Sequence, residues 1–149
     1  MERKSKENKF GVHIKAIVFD QKGRVLTLKK KDTDRDVWDF PGGQIQFGSN
    51  VYNTVWEIVK EQTYLDIDIF GPSNVWTLKM TEHLQIICIS FRCQWDWEKY
   101  FEDKEDIEDD DEAVFLSTEF KEYRWMSPEE ILEGNYPVWM KNEIKIVDE

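Results

Sequence analysis

Hydrophobic and polar positions change period several times along this chain of 149 residues, and each change marks an element. From Val12, "VHIKAIVFD" is rich in β-branched and apolar residues, "QKGR" supplies a glycine-containing turn, and "VLTLKK" alternates again, which predicts a β-hairpin. "KKDTDRDVW" has no period and reads as a charged loop. In "DFPGG", the proline pushes Phe40 toward extended geometry, and the paired glycines permit backbone angles or a close ligand approach that side chains forbid. Gly48 then turns the chain, Ser49 or Asn50 serves as N-cap, and a helix of about 14 residues follows. At about 100° per residue, Val51, Tyr52, Val55, Trp56, Ile58 and Val59 share one broad apolar arc, expected to pack. Asn50, Asn53, Glu57, Lys60 and Glu61 fill the opposite side.

Farther on, "LDIDIFG", "SNVWTLKM" and "HLQIICISFRCQW" read as three strands, and "EFKEYRWMS" as another. Ser127 is placed to cap a helix beginning "PEEIL", with Pro128 at its first position and acids in the turn where the helix dipole favours them. A final apolar run with Trp139 and Met140 predicts a short closing helix. Strands, helix, strands and helix in that order, without internal repeat, predict an α/β (α+β) architecture with a mixed sheet sandwiched by helices. Residues 1–8 are polar and expected to form a loose tail, leaving 9–149 as one domain.

Composition narrows the function classes. The formal charge is −11, yet residues 96–112, "DWEKYFEDKEDIEDDDE", hold eleven acids and two lysines, leaving only −2 for the rest. Such a field repels nucleic acid, so broad nucleic-acid binding is not expected, while the run could dock a basic protein partner. The bland alternative is a solvated loop inserted between strands. No stretch of 18 apolar residues is present and the start does not read as a signal peptide, which predicts no membrane partner and a cytoplasmic location. Cys88 and Cys93, five apart on one expected strand, face opposite ways and share neither a metal nor a disulfide.

Taken together, "AIVFDQKGRVLTL", "WDFPGG", "EQTYLDI" and "EYRWMSPEEI" resemble the Nudix family over nearly the whole chain. Its box reads G-x5-E-x7-R-E-U-x-E-E-x-G-U, with U a bulky apolar residue. The resemblance implies an α/β/α sandwich and hydrolysis of a nucleoside diphosphate joined to another group. It also implies Mg2+ held by helix carboxylates, which neutralise the diphosphate and orient a water. Starting from Gly43, the first acid position carries Ser49, the Arg-Glu pair Glu57 and Ile58, the Glu-Glu pair Glu61 and Gln62, and the glycine Tyr64. Gln46 stands where many members have a further acid. The resemblance therefore implies Gly42, Gly43, Gln46 and Gln62 as the phosphate or substrate loop, and Glu57 and Glu61 as the remaining catalytic and metal-binding pair.

Glu57 and Glu61 lie four residues and about 40° apart on the helix, so they could form a reduced clamp, or simply a solvated face. Shifting the box by one residue would put both on box acids but spoils the match at Gly43, Thr63 and Leu65. The resemblance implies a loop near the cleft that can contribute a general base, with Glu108 to Glu112 of the acidic run as its candidates. His13, His83 and the indoles of Trp38, Trp76, Trp95 and Trp97 read first as structural. Two functions stay open: a weak Nudix hydrolase, or a non-catalytic Nudix domain that binds a nucleotide-like ligand or a protein partner.

Overall fold

The computed structural model of the chain describes residues 7–31, 37–102 and 113–147. Its strands are β1 Lys9–Phe19, β2 Val25–Lys30, β3 Trp38–Asp39, β4 Gly42–Gln44, β5 Ile67–Thr81, β6 Leu84–Trp95 and β7 Phe120–Met126. Its helices are α1 Val51–Thr63, α2 Trp97–Glu102, α3 Pro128–Glu133 and α4 Val138–Val147. The strands form one mixed sheet in the order β3-β2-β1-β6-β5, with β4 beside β1 and β7 beside β2. Among the described residues only β1 and β6 run parallel, in register from Lys9–Leu84 to Phe19–Gln94.

The predicted hairpin closes on Asp20. Its buried carboxylate accepts the N–H groups of Lys22 and Arg24 at 2.9 and 2.8 Å and the Arg24 guanidinium at 2.7 Å, while Gly23 takes a φ of 76°. Pairing between β1 and β2 is limited to Phe19 and Val25. Beyond that point β4 takes the edge of β1, pairing His13 with Gln44, Ile14 with Gly43 and Lys15 with Gly42. The hairpin is thus a wedge, and the loop carrying the paired glycines lies in its open end.

Strand alternation distributes β1 between two cores. Ile14, Ala16 and Val18 pack with Val55 and Val59 of α1 and with Phe91, Cys93 and Trp95 of β6. Ile17 packs with Val25, Met126, Ile131, Met140 and Ile144 on the α3–α4 side. The α/β/α sandwich expected from the sequence is what forms. Both cysteines are buried and free, Cys93 in the α1-side core, and burial pushes its thiol up to about 12, which removes it as a nucleophile.

Three expectations need correction. "LDIDIFG" and "SNVWTLKM" belong to one edge strand, β5, whose register with β6 slips at Gly71 and again after Pro72. Gly71 has a φ of 129°, and a proline on an edge forfeits no ladder bond inside the sheet, so the breakers bend the strand without ending it. The packed arc of α1 is narrower than the apolar arc of its sequence: Tyr52 and Trp56 are 49% and 40% exposed. Thr54 and Thr63 are buried instead, because their hydroxyls donate to the carbonyls of Asn50 and Val59, at 2.8 and 2.6 Å, and need no water. Finally, the first part of the acidic run is helical. Trp97, Tyr100 and Phe101 of α2 pack on the α1-side core, so these residues are not a solvated insertion. Residues 103–112 lie outside the described residues, and with them the candidate base among Glu108 to Glu112 and most of the surface assigned to a basic partner.

Candidate functional site

The loop of paired glycines is fixed by contacts on both sides. Phe40 is buried edge-on against Trp139, and the Pro41 carbonyl accepts the Ala16 N–H at 2.8 Å. At Gly42 a Cβ would stand 2.4 Å from the Ile14 carbonyl oxygen and 3.0 Å from Cδ of Lys15, so backbone and lysine stem leave room for hydrogen only. From α1, Gln62 meets this glycine with both ends of its amide. Nε2 donates to the Gly42 carbonyl at 2.9 Å, and Oε1 accepts the Gly42 N–H at 3.2 Å. One position along, Cδ1 of Ile58 lies 3.3 Å from where a Gly43 Cβ would be.

Helix ends fix the register of the box. Asn50, not Ser49, is the N-cap, with Oδ1 accepting the Asn53 N–H at 3.2 Å. At the other end Tyr64 adopts the left-handed conformation, φ 68° and ψ 6°, and its N–H bonds the Lys60 carbonyl. That is the geometry a C-terminal glycine ordinarily serves. Thr63, by contrast, is still helical. In the register that starts at Gly43, the position the family gives to glycine is this left-handed residue, Tyr64.

A cleft opens where the wedge is widest. One cavity of about 430 Å³ is lined by His13 and Lys15 of β1, Lys30 of β2, Gly42, Gly43 and Gln62. A second, of about 770 Å³, continues along β5 and α4, with Trp76, Leu78, Ile86 and Trp139 among its walls. His13, Lys15 and Asp39 line both, so the two are halves of one cleft. Trp76 and Trp139 stack with centroids 5.6 Å apart at 25°, and the Lys15 ammonium sits 5.2 Å from the Trp139 ring centre. Lys15 also bridges to Asp39 at 2.6 Å. Burial first, then the positive charges of Lys15 and Lys30, hold the His13 imidazole below the ordinary histidine range.

Of the residues singled out from sequence, Gly42, Gly43 and Gln62 meet at this cleft. Glu57 and Glu61 stand exposed on the outer face of α1 and line neither half. Gln46 is exposed in the turn before the helix, where its carbonyl accepts the Ser49 N–H at 3.1 Å. Among the four indoles, Trp38 and Trp95 are buried, Trp97 packs on the core and Trp76 faces the cleft. His83 pairs with Asn8 away from it, at 3.0 Å. Sequence reasoning passed over Lys15, Lys30, Asp39 and Trp139. The alternation of "HIK" does set His13 and Lys15 on one face, but nothing local says that this face meets a loop.

A mixed sheet between helices, with a glycine loop feeding a capped helix beside a cleft, defines the class of the fold as an α/β/α domain. The NUDIX domain family model matches residues 9–145, and the chain belongs to the Nudix family. Among solved structures it is similar to a MutT protein from Methanosarcina mazei Go1, at 24% identity and a TM-score of 0.73, covering 97% of this chain and 96% of that one. It is also similar to a C. elegans Ap4A hydrolase, in a structure described as a binary complex, at 14% identity and a TM-score of 0.68 (93% and 95% covered). A Bacillus halodurans mutator MutT protein aligns at 21% identity with a TM-score of 0.68 (92% and 81% covered). These likenesses speak to the fold. No curated protein matches the chain significantly. No helix among the described residues is long and apolar enough to cross a membrane.

Family membership implies divalent metal, and the donor set tests whether it fits. Magnesium takes hard oxygen ligands, preferably charged. Position 58 offers an apolar side chain sealed on Gly43, and position 62 an amide whose oxygen and nitrogen are both engaged by Gly42. Among the described residues no three His, Cys, Asp or Glu side chains converge. This set does not fit a resident magnesium cluster.

Proposed function

We propose that this chain is a Nudix domain that binds a nucleoside diphosphate derivative in the cleft and has lost efficient hydrolysis. One observation carries the reading: the two box positions that face the glycine loop, 58 and 62, are committed to packing and to a peptide clasp, and neither presents a carboxylate. The cleft itself is well formed, with stacked indoles in one half and lysines in the other, the composition of a site for a ligand with a ring and an anionic group.

The experiment is a thermal-shift panel of nucleoside diphosphate derivatives in EDTA and in magnesium, with chromatography of every sample for products. A ligand at about 100 times its Kd adds about 2.7 kcal/mol, and a domain of this size gains roughly 2–4 °C per kcal/mol. At least one panel member should raise Tm by about 5–10 °C in EDTA and be recovered intact. If every stabilising ligand is also cleaved, or stabilisation requires magnesium, the proposal fails.

A further inference from the structure

We infer that Lys15, with His13 and Lys30 beside it, forms a metal-free site for the phosphate groups of the ligand, at the seam between the two halves of the cleft. The inference rests on the binding role proposed above and assigns the residues that perform it.

Lys15 is built into its place rather than draped on a surface. Its stem crosses Gly42 so closely that a Cβ there would come within 3.0 Å of Cδ, and its side chain is only 16% exposed. The ammonium is pinned by Asp39 and by the face of Trp139. Pinning lowers the entropy lost on ligand binding, and partial burial raises the strength of a charge–charge contact well above that of a surface lysine.

Asp39 does not exhaust this lysine. An ammonium has three N–H donors, and the bond to Asp39 uses one. Both carboxylate oxygens of Asp39 are meanwhile engaged, Oδ2 by Lys15 and Oδ1 by the Phe40 N–H at 2.6 Å, so Asp39 orients the cation as it neutralises it. Glu119 is the other acid of the smaller cavity, which Lys30 also lines. Burial is the main cause that lowers the His13 protonation, and the charges that add to it are both lysines, Lys15 and Lys30. At His13, Lys15 of β1 and Lys30 of β2 thus bring two cations to a cavity that Asp39 and Glu119 also line.

Position completes the case. Lys15 belongs to both halves of the cleft, so a ligand whose apolar part lies along Trp76 and Trp139 and whose anionic part points at Gly42 must pass its ammonium. In a family whose fold presents a diphosphate to metal ions, this chain sets a lysine at the glycine loop. A fixed cation then neutralises the phosphate directly.

The test is calorimetric titration of the full chain with inorganic pyrophosphate and with ADP, in EDTA. Lys15→Met keeps the apolar stem and removes the charge. Lys121→Met, exposed on β7 and outside both cavities, is the charge control. The wild type should bind both probes without metal. Lys15→Met should weaken both at least about tenfold, as loss of a charge-assisted hydrogen bond does, and flatten the salt dependence, with Lys121→Met within about twofold. Circular dichroism verifies folding, and if Lys15→Met does not fold, Lys30→Met on the same wall is read in its place and should weaken both probes several-fold. Equal affinity in wild type and variant overturns the site and leaves the binding role standing. Binding that appears only with magnesium overturns the site, and cleavage of ADP overturns the binding role. Failure of both probes to bind the wild type overturns both.

Discussion

Replacing Gln62 with Glu asks whether position 62 is a latch or a latent metal ligand. In the wild type the amide both donates to and accepts from the Gly42 peptide, at 2.9 and 3.2 Å. A carboxylate retains the accepting bond and strengthens it by charge, but sets a second acceptor against the Gly42 carbonyl. The lost bond is worth about 1 kcal/mol, and an unsatisfied half-buried carbonyl facing a negative oxygen about 1–2 kcal/mol more, against roughly 1 kcal/mol regained from the charged bond. The net cost is about 1–2 kcal/mol, or a fall in Tm of about 2–8 °C. Urea and thermal unfolding in EDTA and in magnesium measure it. The deficit should be the same in both media and should shrink below about pH 4, where the introduced carboxyl protonates and can donate again. A variant as stable as wild type in EDTA, and further stabilised by magnesium, would show the side chain facing a metal site and refute the latch.

Gly42→Ala should cost more than about 2 kcal/mol, because the nearest obstacle, 2.4 Å away, is the Ile14 backbone and not a movable side chain; chemical denaturation measures this. Glu57→Gln and Glu61→Gln, both on the exposed face of α1, should shift stability by no more than about 0.5 kcal/mol and leave the metal-free ligand shift intact, whereas a hydrolase built on them would lose turnover. His13 has its pKa lowered in the folded state, so the unfolded chain takes up the proton first as pH falls below about 6.5. That group's contribution is therefore full above its unfolded pKa and declines on acidification; urea midpoints between about pH 7 and pH 5 should fall less for His13→Gln than for wild type.

Elements set by local chemistry were legible. Asp20 and Gly23 make the hairpin turn, Asn50 starts α1, and Ser127 with Glu130 forms the capping box that starts α3. Misreadings arose where partners distant in sequence decide. Gly71 and Pro72 are breakers in isolation, yet β6 lies alongside and resumes the pairing on both sides of them. The acids around Trp97, Tyr100 and Phe101 masked a turn of helix that the core pins by its aromatics. At the cleft, Gly42, Gly43 and Gln62 were visible through the family's spacing. Lys15 and His13 were not, because on β1 they look like the polar half of an ordinary strand. Only the register with β4 and the arrival of Trp139 from α4 turn that half into a wall of the cleft.

On the function proposed above, the same geometry would let the cleft hold a ligand without its chemistry. Hydrolysis needs interactions stronger in the transition state than in the bound ligand, such as a metal-activated water or a base in reach of one. A fixed ammonium at Lys15 meets a phosphate oxygen about equally well before and during attack, so it lowers the energy of the complex without lowering the barrier. Among the described residues, Glu61 at a box acid position and Glu57 at the box arginine position stand exposed on α1 and line neither half of the cleft, and the side chains that do reach the loop, Ile58 and Gln62, neither charge nor activate water. On that reading, efficient hydrolysis would require both of those positions to change at once, since an acid at 62 alone opposes the Gly42 carbonyl and an acid at 58 alone gives up the packing on Gly43 while gaining a single ligand.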